Sequence, residues 1–303
     1  MIRLYFLQAF YHLRENPIIT WVSILGTAMA ICMIMVLVIT FQVRLVDCEP
    51  EVNRSRTLYV PYMSVKQKGN SDNESANASM SVRTGRECFR ALSMPEAVTL
   101  ASGVYRVRAS VPSGSKATAD MVQTDEAFWT IFSFHFLSGE AFTKADCDAG
   151  LTRAVLDATT ARRLFGTTDA VGRTVQLDYV DYTVAGVVAD VSMLATAAYA
   201  QIWVPYTAAG AEAMSWQNDT MGPMHAIILA RSSADFDAIR EETELLRKKY
   251  NDGLQDVEVF YRGQPDTQLA YLYRRWYAEP DVPGVMLRYA IVVIILLLVP
   301  AVN

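Results

Sequence analysis

Residues 18–43 read IITWVSILGTAMAICMIMVLVITFQV and carry no charged side chain. As a helix rising about 1.5 Å per residue, this stretch reaches roughly 39 Å, enough to cross a hydrocarbon core of about 30 Å with some tilt. It reads as a transmembrane helix. Asn16 is placed to cap it, and Pro17 suits the first helical position, where a missing N–H costs nothing. A cleaved leader is the competing reading, since Ala28-Met29-Ala30 resembles a cleavage site, but the apolar run continues past it to Val43.

Within the span, Ser23, Gly26, Thr27 and Ala30 put small residues on neighbouring turns, which lets another helix approach closely. These four are the candidate helix-packing residues, and they imply a partner inside the bilayer. Upstream, residues 1–17 are amphipathic, with Ile2, Phe6, Ala9, Phe10 and Leu13 on one side and Gln8, His12 and Glu15 largely opposite. That pattern predicts an interfacial helix lying along the membrane, although an extension of the span's first turns fits it equally.

At the other end, residues 289–302 read YAIVVIILLLVPAV and the sequence stops at Asn303. The run is shorter than the roughly 20 residues a crossing needs. The expectation is a chain cut inside a second transmembrane helix that starts at residues 287–303, rather than a re-entrant or core segment. Residues 44–286 lie between the spans and are long enough for one or two domains with cores of their own.

The chain's net charge is −5, and Arg3, Arg14 and Glu15 are the charged residues before the first span, so the acid excess sits in this central region. Nucleic acid is therefore not an expected partner. Orientation stays open, because Arg3 and Arg14 before the span are matched by Arg44, Arg54 and Arg56 after it. Cys48, Cys88 and Cys147 cannot all pair with one another, so no disulfide framework is implied, and Cys32 reads as a small apolar residue of the span.

Along the central region, Arg56 to Tyr62 is strand-prone, with Pro61 at an edge or strand end. Ser64 to Arg86 turns to Asn, Ser, Gly and charge, which predicts a mobile loop. Pro95 to Ala101 predicts a short helix; Tyr105, Val107, Ala109 and Val111 alternate with polar residues as in a half-buried strand. A strand near Met121 to Gln123 leads into the aromatic stretch from Phe128 to Phe142, which reads as a core wedge.

From Arg153 to Val191 the pattern predicts a strand at Ala154 to Leu156 and a helix at Ala158 to Leu164 stopped by Gly166. Strands at Thr174 to Leu177 and Tyr182 to Val188 follow, turning around Asp181. Further strands are expected at Gln201 to Pro205, Ala226 to Ala230 and Val257 to Tyr261. The best helix outside the membrane runs from Ala234 to Tyr250, and another at Gln268 to Tyr277 would return the chain to the bilayer.

Catalytic patterns are missing. Gly114-Ser115-Lys116 lacks the glycines and order of a phosphate loop, His12, His135 and His225 are scattered, and no two cysteines stand at C-x-x-C spacing. Asp146 and Asp148 read as solvated turn residues. The expectation is a protein that is not an enzyme and holds no cofactor or metal of its own.

Three parts of the chain resemble the MacB-like and FtsX-like family of ABC transporter permeases. They are Leu13-Arg14-Glu15-Asn16 running into a span with Ile24-Leu25-Gly26, the core from Phe128 to Val191, and the final LLLVPAVN. The core is the most specific: Phe128, Phe132, Phe134 and Gly139 precede Leu164-Phe165-Gly166, Val171-Gly172-Arg173 and Val184-Ala185-Gly186-Val187-Val188. The resemblance implies an α+β periplasmic core domain, with a porter-like α/β subdomain built from both ends of the region and an inserted strand-rich subdomain over about 125–215.

It further implies a multi-pass protein of the cell inner membrane whose partners are a cytoplasmic ABC ATPase, a second permease copy or paralogue, and the lipid bilayer. Its role would be mechanical, with covalent chemistry left to the ATPase. A two-span receptor with a periplasmic ligand-binding domain is the alternative from another class, and a membrane-anchored periplasmic enzyme is a third.

Overall fold

A computed structural model describes residues 17–69, 75–112, 114–274 and 279–302. The amphipathic segment before Pro17 and the Asn16 cap lie outside them. The chain divides into two compact units, the terminal stretches up to Leu45 and from Asp281, and Val46–Pro280.

In the first unit, a helix of 29 residues spans Pro17–Leu45, in accord with the expected span. Among the described residues one helix, Thr20–Leu45, is long and apolar enough to cross a membrane. Its least exposed positions recur every three or four residues, through Ala30, Ile34, Leu37, Phe41 and Leu45, whereas Trp21, Ile24 and Leu25 on other faces are more than half exposed. A second helix spans Val282–Val302, with Asp281 Oδ1 accepting from the Gly284 N–H at 3.0 Å. The two helices pack together, and the Phe41 and Tyr289 rings meet at 5.8 Å.

The second unit carries β1 (Thr57–Val60), β2 (Met63–Gln67), β3 (Ala76–Ala78), β4 (Ala97–Ser102), β5 (Tyr105–Ser110), β6 (Lys116–Thr124) and β7 (Phe136–Gly139). It continues with β8 (Arg153–Asp157), β9 (Thr174–Leu177), β10 (Val180–Val188), β11 (Ile202–Pro205), β12 (Met224–Leu229) and β13 (Val257–Phe260). Three sheets result: β1-β12-β4, β13-β2-β3, and a larger one in the order β7-β10-β8-β11-β6-β5-β9.

The larger sheet closes on itself, because β9 pairs with β5 on one side and with β10 on the other. A register shift between Val184 and Gly186 lets β10 bend and serve β9 with one half and β7 with the other. Two glycines make this possible. Gly139 lies opposite Gly186, and a Cβ on Gly139 would sit 2.2 Å from the Ala185 carbonyl oxygen, one on Gly186 2.6 Å from that of Glu140. Val107, Leu156, Leu164 and Val184 fill the interior.

The β1-β12-β4 sheet is covered on both faces. Ile227 and Leu229 of β12 join the aromatic core of Phe128, Phe132 and Trp203, while Ala226 and Ile228 join Met80, Phe89, Leu100 and Ile239 on the opposite side. Burial on both faces explains why β12 reads as a continuous apolar run. The helix Phe236–Gly253 lays Ile239 and Tyr250 on that second core. The aromatic stretch is thus a core wedge, with Phe128, Ile131, Phe132 and Phe142 almost fully buried.

Several expectations are corrected. Residues Pro95 to Ala101 do not form a helix: β4 pairs with β12 from Ala97↔Leu229 to Met224↔Ser102, and this pairing overrides local helix preference. Ser64 to Arg86 is ordered wherever it is described, forming β2, β3 and the helix Val82–Gly85. Ser64, Ser81 and Thr84 are buried, whereas Gln67, Asn77 and Arg83 stay exposed. Ser81 Oγ accepts from the Thr84 N–H at 3.0 Å, and Lys68 Nζ donates to the Asn251 carbonyl at 2.8 Å. The hairpin turn lies at Asp178 and Tyr179, whose φ angles are 42° and 73°, not at Asp181, which belongs to β10. The seven-stranded sheet draws its strands from between Tyr105 and Pro205.

Candidate functional site

Where the chain leaves the Pro17–Leu45 helix it passes at once into a buried charge pair. Arg54 Nε donates to Glu51 Oε2 at 2.6 Å, and both side chains are closed to solvent. The rest of each group is spoken for. Arg54 Nη1 donates to the Val46 carbonyl and Nη2 to the Leu194 carbonyl, each at 2.8 Å. Glu51 Oε1 accepts from the Ala197 and Ala198 N–H groups at 2.7 and 3.0 Å. The connector is therefore fastened to the loop between β10 and β11, and the Ser133 N–H donates to the Pro50 carbonyl at 2.9 Å as a further tie.

A second pair stands at the other end of the domain. The Arg274 guanidinium, at the end of the helix Gln268–Arg274, donates through Nε to Asp266 Oδ2 and through Nη2 to Oδ1 at 2.8 Å, with both residues nearly closed to water. Burial pushes the Asp266 carboxyl up, against the pull of Arg274. The Asp266 backbone exchanges hydrogen bonds with Tyr59 of β1, and the Tyr271 ring stacks on Tyr59 at 4.5 Å. The two pairs are built alike, each from an acid and an arginine in direct contact, 3 and 8 residues apart in sequence.

Between the two sheets lies a third junction. Arg90 Nη1 donates to the Val98 carbonyl of β4 at 2.7 Å and to Asp125 Oδ2 at 3.2 Å, and its Nη2 meets Glu126 Oε1 at 2.9 Å. Asp125, at the end of β6, also accepts from Thr99 Oγ1 at 2.6 Å and the Leu100 N–H at 3.1 Å. Burial pushes its carboxyl up to about 6, offset in part by Arg90.

Of the residues singled out in the span, Ala30 is 5 % exposed, and Ser23, Gly26 and Thr27 are half-buried on the same stripe. A methyl group added at Gly26 would meet nothing within 4 Å. Among the described residues no three His, Cys, Asp or Glu side chains gather to hold a metal. Cys88 and Cys147 are free thiols that burial pushes up to about 12. Asp146 serves the fold: it completes a capping box with Thr143 and accepts from Arg153. The three arginine junctions were not singled out in the sequence.

The family of the MacB-like periplasmic core domain matches residues 20–246. Among solved structures, the chain is similar to a domain named for a permease protein of Porphyromonas gingivalis, at 17% identity, with 71% of this chain and 91% of that one covered and a TM-score of 0.53. It is also similar to the extracellular domain of the noncanonic ABC-type transporter YknZ from Gram-positive bacteria (16% identity, 66% and 99% covered, TM-score 0.45). The periplasmic region of MacB from Actinobacillus actinomycetemcomitans gives 17%, 67% and 90%, and 0.46. No curated protein matches the chain. At these identities the likeness to solved structures is one of fold, and the match over most of the chain carries the assignment: the chain belongs to the MacB-like periplasmic core domain family of ABC transporter permeases.

Proposed function

We propose that this chain is a permease subunit of an ABC transporter, held in the cell inner membrane by the Pro17–Leu45 helix with Val282–Val302 as a second membrane helix. Its large domain stands in the periplasm and moves when a separate cytoplasmic ATPase hydrolyses ATP. The chain works beside a second permease copy or paralogue, contributes no covalent chemistry, and serves export, lipoprotein extraction or the relay of force.

The observation that supports this reading most is the pair of buried junctions, Glu51–Arg54 and Asp266–Arg274. A flexible linker dissipates motion in its own conformational freedom. The segment from Val46 to Arg54 is instead held by charge-assisted hydrogen bonds in a dry setting, where breaking one partner away leaves a buried charge uncompensated. In this reading, displacement of the Pro17–Leu45 helix is passed to the β10–β11 loop.

Purification of the protein from native membranes in mild detergent, with mass spectrometry and an ATP hydrolysis assay, tests the reading. The expected result is a co-purifying ATPase whose activity is lost when its phosphate-loop lysine is changed. Recovery without an ATPase, and with a signalling domain following Asn303, would overturn it in favour of a two-span receptor.

A further inference from the structure

We propose that the turn carrying Met193 and Leu194 dips into the outer face of the lipid bilayer and makes a second, non-spanning contact between the domain and the membrane. The inference rests on reading Pro17–Leu45 as a membrane anchor.

Met193 is 72 % and Leu194 50 % exposed, a concentration of apolar surface at a loop tip that water alone does not favour. The tip is not loose. Ser192 Oγ accepts from the Leu194 N–H at 3.2 Å, and the Ala195 N–H returns to the Ser192 carbonyl at 2.9 Å, so the two side chains are presented outward by a closed turn.

What covers them follows from their neighbour. One guanidinium, that of Arg54, holds the Leu194 carbonyl through Nη2 and the Val46 carbonyl through Nη1, each at 2.8 Å. Val46, itself 58 % exposed, is the residue after Leu45, where the apolar helix ends. Arg44 marks the polar limit of the span, since a long basic side chain at a helix end reaches for the headgroups. Leu194 is therefore tied within a few ångströms of a residue that stands at the membrane surface. Asp47 and Glu49 beside it are exposed and acidic, so attraction to anionic lipid is not the driving force. Burial of the Met and Leu side chains is, as in other interfacial contacts.

The test uses the full chain in phosphatidylcholine vesicles, with Cys32 and Cys48 changed to Ala and an environment-sensitive fluorophore on one new cysteine at a time: Met193→Cys, Met35→Cys in mid-helix, or Leu245→Cys on the Phe236–Gly253 helix. Quenching is read with lipids labelled near the headgroup or deep in the acyl chain. Blue-shifted emission at 193 that is lost to the shallow quencher, deep quenching at 35, and no quenching at 245 are expected. Deep quenching at 35 with water-like emission at 193 overturns the proposal and leaves the anchor standing. Quenching at 245 as strong as at 193 also overturns it, because immersion would not be particular to the turn. No quenching at 35 removes the anchor and the proposal with it.

Discussion

Arg54 donates to the Glu51 carboxylate and to the Val46 and Leu194 carbonyls, and its removal would strand Glu51 in a dry site. Removing one partner of a buried pair costs about 3–5 kcal/mol, whereas apolar replacement of both is far less damaging. Arg54→Met is expected to lower unfolding stability by about that amount, and the double change Glu51→Leu with Arg54→Met by clearly less than the two single effects combined, read by urea denaturation. Asp125 offers a pH-dependent counterpart. Its carboxyl titrates near 6 in the fold against 3.8 ordinarily, so the folded state holds this proton more tightly than the unfolded chain. The stability owed to that proton is complete below about pH 4, falls as pH rises to about 6 and is flat above. Carboxyl NMR is expected to give a midpoint near 6 that climbs further in Arg90→Met. None of these roles was legible in the sequence, because an acid and an arginine three or eight residues apart look the same whether a loop closes over them or not. The burial comes from residues 140 positions away.

At the scale of elements, the motif Val184-Ala185-Gly186-Val187-Val188 has a physical reason: Gly186 and Gly139 let β10 and β7 approach until no Cβ fits between them. Gly139→Ala is expected to cost more than Gly166→Ala in denaturant melts. Gly166, at φ 76° with open space around it, carries only the left-handed penalty of about 1 kcal/mol. Gly139 adds a backbone clash, for which overpacking typically costs about 1–3 kcal/mol more. Elements with a strong period, such as the Phe236–Gly253 helix and β5, were plain in the sequence. β4 was not, since Pro95 to Ala101 prefers a helix until β12 supplies six paired residues. β2 and β3 were hidden by polar composition, which their pairing with each other and with β13 overrides.

For the whole molecule, the sequence pointed to two apolar helices flanking a mixed α and β domain, and the fold adds two buried acid–arginine pairs within that domain. Within the domain, Glu51 is tied to the β10–β11 loop, and Asp266 to Tyr59 of β1. Arg90 and Asp125 join the two halves. The proposed role requires motion in the membrane to reach the domain through these ties. It is tested most directly by the distance between spin labels on Leu245 of two copies in the assembled complex, measured by electron-electron double resonance without nucleotide and with ATP trapped. A nucleotide-dependent shift in distance that shrinks in Arg54→Met is expected. An unchanged distance in a complex that still hydrolyses ATP would contradict it.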